Sequence, residues 1–260
     1  MQESSLNKTL HTNQLKHEIF AKLQIPPDTP FFVRLDGWKF RAVCEKIGAE
    51  KPFDKRLAKC LIASGKTLFK SNFNPALIYA ASDELNVLFL NTVPFKRRLE
   101  KINSVLAGVV SSVFSLNLQK LFNKRAPVAF DSRVIFSSPE KIVEYLTWRQ
   151  RNAWRNHNNA YAYWLLRKKG YKTSEVAKKL KGLKSKELHE KLFDFGINLA
   201  RTPAWQRRGI LIHREPYQKK TGKQPATRWR IKENWNLPLL SSKEGKNMIQ
   251  QILQANQLRK

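Results

Sequence analysis

The chain has 260 residues, 42% of them hydrophobic, with 49 Lys+Arg against 20 Asp+Glu and a net charge of +29. That is enough apolar material for one large domain or two small ones, under a field that gathers polyanions, nucleic acid first among them. Two cysteines, Cys44 and Cys60, exclude a thiolate zinc cluster and point to a reducing, cytoplasmic setting, while no apolar run reaches the roughly 18–20 residues of a membrane span.

The first thirteen residues are polar, and the N-terminus lacks an apolar signal core; Glu3 and Glu18 also count against a transit peptide. Leu15, Ile19, Phe20 and Leu23 then recur at helical spacing until the prolines of 26–30 stop the helix. "FFVRLD" predicts a strand with Phe31, Val33 and Leu35 on one face and Phe32, Arg34 and Asp36 on the other. A helix is expected over 54–70, burying Leu57, Cys60, Leu61, Ser64 and Leu68. Strands over 76–81 and 85–90 flank the turn "SDE" as a hairpin. Pro94 opens a long amphipathic helix through Leu99, Ile102, Leu106, Val109, Val110, Val113 and Leu121, and 127–136 reads as a fourth strand. This β-α-β-β-α-β order is that of an α+β, ferredoxin-like split βαβ sheet.

Beyond Ser138-Pro139 a long helix runs to about residue 169, where Gly170 can end it. Shorter helices follow over 173–180 and 185–193, then a strand over 209–214. The tail is rich in Lys, Arg, Trp and Pro, with a hairpin around "TRWRIK". The five histidines, at 11, 17, 157, 189 and 213, show no metal-ligand spacing.

In the ferredoxin-like arrangement the first two strands run parallel and the third fills the slot between them. Asp36 ends the first strand, and Asp83 sits where the second turns into the third. Asp-Gly and Asp-Glu are each ordinary turn dipeptides, but this topology gathers Asp36, Asp83 and Glu84 at one sheet edge. Carboxylates that close repel unless a cation lies between them. Magnesium suits such oxygens together with phosphate and water, and two ions about 3.5–4 Å apart can clamp a phosphoryl transfer. Gly37 lets the backbone approach a phosphate and offers a carbonyl to a metal. Strict alternation puts Asp83 with Leu85, Val87 and Phe89 on the core face and Glu84 on the open face.

At these residues the chain resembles the tRNA-His guanylyltransferase superfamily, the reverse (3′-to-5′) nucleotide polymerases. The matching text is "VRLDGWKF", "KPFDKR" at 51–56, "SDE" at 82–84, "FKRRLEKI" at 95–102, "FDSRV" at 130–134, "YLTWRQ" at 145–150, "FGIN" at 195–198 and "RRGILI" at 207–212. The resemblance implies a palm fold, often tetrameric, with two Mg2+ ions held by Asp36, the Gly37 carbonyl and Asp83, Glu84 being a nearby catalytic acid. The backbone around Gly37, Trp38, Lys39, Phe40 and Ser82 would cradle a triphosphate. Lys51 and Asp54 match positions near the activating nucleotide's base, and Arg98 and Lys101 match basic residues near the incoming triphosphate. It further implies a palm core over 30–137, preceded by an arm (1–29) and followed by a completing region (138–215) and a basic extension (216–260).

The implied chemistry activates an RNA 5′-monophosphate with ATP or GTP, after which the 3′-hydroxyl of an incoming nucleotide attacks that end. The tRNA-His branch follows "WRQ" with a His-x-Asn-Asn element. Here Trp154 holds the histidine place, and Asn156 and His157 follow. That departure favours the guanylyltransferase-like branch, which repairs truncated tRNA 5′ ends by templated addition, over addition of a single guanylate to tRNA-His. His157, on a basic helix, reads as a surface residue. Arg149, Arg151, Arg155 and Asn156, with Trp148 and Trp154, are expected to face the tRNA acceptor end. Arg214, Lys219, Lys220, Lys223, Arg228, Arg230 and Lys232 of the tail, among Tyr217, Trp229 and Trp235, offer further phosphate and stacking contacts. A non-catalytic RNA-binding protein would share the basic surface but have no use for Asp36 and Asp83 together.

Overall fold

The computed structural model describes residues 18–71, 73–90, 92–221 and 224–258. The polar start, Leu15, the first two histidines and Lys223 lie outside them, and the side chain of Lys220 is not described.

β1 (Phe31–Gly37) leads into a short helix α1 (Phe40–Ile47) and then α2 (Lys55–Lys70). β2 (Leu77–Ala81) and β3 (Glu84–Phe89) form the expected hairpin, α3 (Leu99–Phe122) crosses back, and β4 (Phe130–Phe136) follows. Next come α4 (Ile142–Lys168), α5 (Thr173–Leu180), α6 (Ser185–Asp194) and α7 (Ala204–Arg208). A long hairpin of β5 (Ile210–Thr221) and β6 (Gln224–Asn234) precedes α8 (Lys243–Gln257). Six strands make one sheet in the order β4-β1-β3-β2-β5-β6, every neighbouring pair antiparallel.

The period-2 pattern of β1 divides the core. Phe31, Val33 and Leu35, with Leu85, Val87 and Phe89, pack under α2 and α3. Phe32, Leu77, Tyr79 and Leu88 face the other way, onto Ile142 and Leu146 of α4, Leu237 and Leu240, and Ile249 and Ile252 of α8. Both faces of the sheet are therefore covered, and β3 is buried along its whole length. By length and composition α3 is apolar enough to cross a bilayer, which the sequence reading did not anticipate. Its row Ile102, Leu106, Val110, Phe114 and Leu118 is buried against the sheet.

Phe114 sits among the rings of Phe40 (5.3 Å) and Phe130 (5.6 Å) and is fully buried. Phe114→Ala is expected to destabilise the fold by about 3–5 kcal/mol, seen as a lower urea midpoint at an unchanged slope.

Several elements differ from the sequence expectation. Residues 18–29 form turns and a bridge from Gln24 to Arg98 rather than a helix. α3 starts at Leu99, because Pro94–Arg97 is a tight turn with Phe95, Lys96 and Arg97 at positive φ. The tail is not only a basic hairpin: Ser242 accepts from the Gly245 N–H and caps α8, whose Ile249 and Ile252 join the core.

Candidate active site

Register brings the acids together. Asp36 lies opposite Glu84 on β3 and opposite Asp131 on β4, so these three side chains share one face at one end of the sheet. Asp83 occupies the β2–β3 turn, entered through Ser82 at φ 57°. The Gly37 N–H donates to the Asp83 carbonyl at 3.1 Å, locking the end of β1 to that turn. There is no room there for a side chain: a Cβ on Gly37 would lie 2.5 Å from Phe40 Cδ2 and 3.2 Å from Asp83 Cβ. Gly37→Ala is therefore expected to displace the Asp83 turn and lower catalytic turnover at least tenfold, with the far-ultraviolet dichroism of the fold retained.

Burial pushes the Asp83 carboxyl up to about 6, and the neighbouring Asp36 charge adds to this against a hydrogen bond from Ser82. The Asp36 charge is thus near enough to oppose ionisation of Asp83. A hard cation would relieve that conflict, and the donors present, carboxylate and backbone carbonyl, are of the kind magnesium takes. Among the described residues no three His, Cys, Asp or Glu side chains gather into a metal cage, so the remaining ligands would be water or substrate phosphate. Asp131, which the sequence reading passed over, is tied to Arg133. That guanidinium lies 3.2 Å from Asp131 Oδ1 but off the hydrogen-bond direction, so the buried oxygen has a countercharge without a hydrogen bond.

Glu84 has a different setting from the one expected of a catalytic acid. It points to the face covered by α4, as alternation required, and is buried there. Arg149 Nε donates to its Oε1 at 2.8 Å, and Arg149 Nη2 pairs with Oε2. Asn86 Nδ2 donates to Oε1 at 2.6 Å, and Tyr145 OH fixes Asn86 through Oδ1 at 2.6 Å. Arg149, expected to touch RNA, is accordingly spent on Glu84 with its side chain only 13% exposed.

Two cavities open beside the Asp83 turn. The first, of about 160 Å3, is bounded by Phe40, Cys44 and Leu61 below and by Phe53, His157 and Trp205 around it. Glu50, Lys51, Ser82, Asn156 and Gln206 supply its polar rim. The second, of about 310 Å3, adjoins Asp83 itself and is bounded by Arg41, Lys51, Ser82, Tyr163 and Trp164. A flat apolar slot beside a cationic, hydroxyl-bearing recess suits a base and its phosphates. The aromatic walls come from four distant segments, and no local spacing in the sequence announces them.

The structure distributes the other expected residues unevenly. Lys51 and Ser82 border both cavities, and Asn156 borders the first. Phe40 does too, but its ring packs with Phe114 and Phe130. Trp38 is exposed, with Lys39 Nζ 4.4 Å from its ring centre. Asp54 borders the first cavity, but both of its carboxylate oxygens already accept hydrogen bonds. Burial alone would raise its pKa, but hydrogen bonds from Arg56 and from the Glu50 and Arg56 N–H groups hold it below the usual range. It caps α2 and is committed there. Arg98 and Lys101 are not brought to the cavities. Arg98 bridges to Gln24 ahead of β1. Arg151 and Arg155 are exposed on α4. Arg228 and Arg230 lie on the projecting hairpin, where Arg230 pairs with Glu215 at 2.5 Å.

His157 is fully buried, not a surface residue. It stacks between Trp154 (5.4 Å) and Phe53 (5.7 Å). Thr202 Oγ1 donates to the Leu199 carbonyl and so accepts from His157 Nε2 at 2.9 Å. The Asn158 amide, turned to donate to Nδ1 at 3.0 Å, also satisfies Trp154. Burial pushes the imidazole down to about 4, and the Arg207 charge adds to the shift. His157 is a neutral prop for the wall of the first cavity.

Family models match almost the whole described chain: tRNAHis guanylyltransferase over residues 13–138 and its C-terminal domain over 140–256. The tRNA(His) guanylyltransferase of Candida glabrata is 33% identical over 197 residues, 72% of this chain and 83% of that protein. That of Schizosaccharomyces pombe is 31% identical over 198 residues, 73% and 75% of the two chains. Among solved structures, a bacterial tRNA(His) guanylyltransferase-like protein in complex with ATP superposes with a TM-score of 0.75 at 25% identity, covering 94% of this chain and 98% of that one. The tRNA(His) guanylyltransferase of Saccharomyces cerevisiae gives 0.67 at 28% identity over 75% and 90%. The site geometry and these likenesses agree: the chain belongs to the tRNA-His guanylyltransferase family of nucleotidyltransferases.

Proposed function

We propose that this protein adds nucleotides to the 5′ end of tRNA in the 3′-to-5′ direction, after activating the 5′-phosphate with ATP or GTP. The observation that carries this reading is the hydrogen bond that ties the Asp36–Gly37 end of β1 to the Asp83 turn, whose Ser82 borders both cavities and whose Asp83 borders the second. The order β4-β1-β3-β2 supports reading the sheet as a ferredoxin-like palm, and family membership supports a tRNA substrate. A related bacterial protein binds ATP and GTP, in keeping with a triphosphate here.

Asp36, Asp83 and the Gly37 carbonyl would hold two Mg2+ ions. Bound there, they would offset phosphate charge and lower the pKa of the attacking hydroxyl. The chain's own residues do the rest. Phe53 and Trp205 hold a base in the first cavity, while Lys51, Arg41 and the Ser82 hydroxyl draw the phosphates toward the second. Dry walls around a fixed base convert the transfer into an oriented, nearly unimolecular event. Arg151 and Arg155, exposed on α4, and Asn156, which borders the first cavity, meet the incoming RNA end. Glu84 and Arg149 brace the Asp83 turn from behind and touch no substrate.

Trp154, in the place where the tRNA-His branch carries histidine, is stacked on a buried His157. We therefore favour templated repair of truncated tRNAs over strict tRNA-His recognition, in an assembly of several subunits, a tetramer by analogy with the family. The test incubates several 5′-truncated tRNAs and full-length tRNA-His with labelled GTP, ATP and magnesium. Extension of many truncated species supports repair. Extension confined to tRNA-His returns the protein to single guanylate addition, and no extension of any substrate leaves only RNA binding.

A further inference from the structure

On the far side of α2 from the nucleotide cavity lies a second groove, of about 310 Å3, between α2, α3 and the end of β6. Ala58 and Leu61 of α2 face the cavity, whereas Lys59, Lys66 and Lys70 face the groove. The helix thus separates the two. The three lysines are spaced seven and four residues apart, one stripe along the helix. Lys66 is pinned to Glu233 at 2.6 Å, and the Trp235 indole N–H holds the other oxygen of that acid at 2.9 Å. Lys59 and Lys70 are exposed at either side of this pinned pair. Asn117 donates to its own helix at Val113 (2.8 Å), which leaves its amide oxygen for an outside donor. Trp235 is itself steadied edge-on by Trp205 at 6.0 Å, so this wall is built rather than loose.

We propose that this groove is a second RNA subsite, which grips the ribose-phosphate backbone of the tRNA body while the 5′ end occupies the active site. The inference rests on the tRNA reading above. Two ammonium groups about 16 Å apart along the helix, flanking a recess, complement phosphates a few nucleotides apart on one strand, and an acceptor oxygen between them complements a 2′-hydroxyl, the group that marks RNA. Glu233 sets the strength of the grip, because it neutralises one lysine of the three.

The test is the affinity of the full chain for fluorescein-labelled tRNA, read by anisotropy across a series of NaCl concentrations. The pair Lys59→Ala and Lys70→Ala is expected to weaken binding about tenfold and to reduce the slope of log K against log salt by roughly 1–2. ATP affinity, measured by calorimetry, stays unchanged. Glu233→Gln frees Lys66 and is expected to tighten tRNA binding about threefold. Lys243→Ala with Lys246→Ala on α8 removes equal charge elsewhere and is expected to change affinity less than twofold. Equal effects of the two lysine pairs, or no effect of either, would overturn the groove as a subsite while leaving the tRNA reading intact. A parent protein that binds ATP but no tRNA would overturn both.

Discussion

Asp83→Asn is expected to abolish nucleotide addition and at the same time to make the metal-free protein more stable above pH 6. The two effects share one cause. Folding half-buries the Asp83 carboxyl beside Asp36 and pushes it up to about 6. A carboxyl whose folded pKa lies above its unfolded value contributes stability fully below about pH 4 and loses it as pH rises through 6. At pH 8 the ionised side chain therefore counts against the fold, by something on the order of 1–3 kcal/mol. Asparagine carries no charge to bury. Urea titrations in EDTA should show Asp83→Asn gaining stability at pH 8 and gaining none near pH 4. Its rate of nucleotide addition should fall by at least 10²–10³, roughly what one preorganised charge contributes. A gain that is the same at both pH values would place the cause outside this titration.

Arg149→Leu is expected to cost as much stability as Phe114→Ala. Its guanidinium and the Glu84 carboxylate are both largely buried, and each satisfies the other. Removing one partner of such a pair leaves a stranded charge and costs about 3–5 kcal/mol. The double variant Glu84→Met with Arg149→Leu removes both charges and should recover most of that loss. Because Glu84 directly follows Asp83, Arg149→Leu is also expected to lower turnover while leaving the salt slope of tRNA binding unchanged. A slope reduced by about 1 would instead assign Arg149 to a phosphate.

That second result shows where sequence reading stops. The alternation of β3 already placed Glu84 on the face opposite Leu85, but nothing along the chain named the helix that covers it. Arg149 looked like one more cation on a basic helix, and its partner lies 65 positions away. The strands β1 to β4 and α2 were legible because each carries its own period and its own stop, as with Asp54 ahead of α2. That the Asp36–Gly37 end of β1 lies beside the Asp83 turn followed from topology alone. The first cavity was not legible, since Phe53, His157 and Trp205 become neighbours only after α4 and α7 pack. α8 was overlooked behind the charge of the tail, although Ser242 and the pair Ile249 and Ile252 gave it a cap and an apolar stripe. Arg98 and Lys101 lie close together where α3 begins, but neither borders the two cavities.

Manganese binding, followed by electron paramagnetic resonance with a non-hydrolysable GTP analogue present, addresses the pairing of Asp36 and Asp83 most directly. Two ions per chain should bind to the parent protein, and Asp36→Asn or Asp83→Asn should each remove nucleotide-dependent binding. Undiminished manganese binding by both variants would contradict the account.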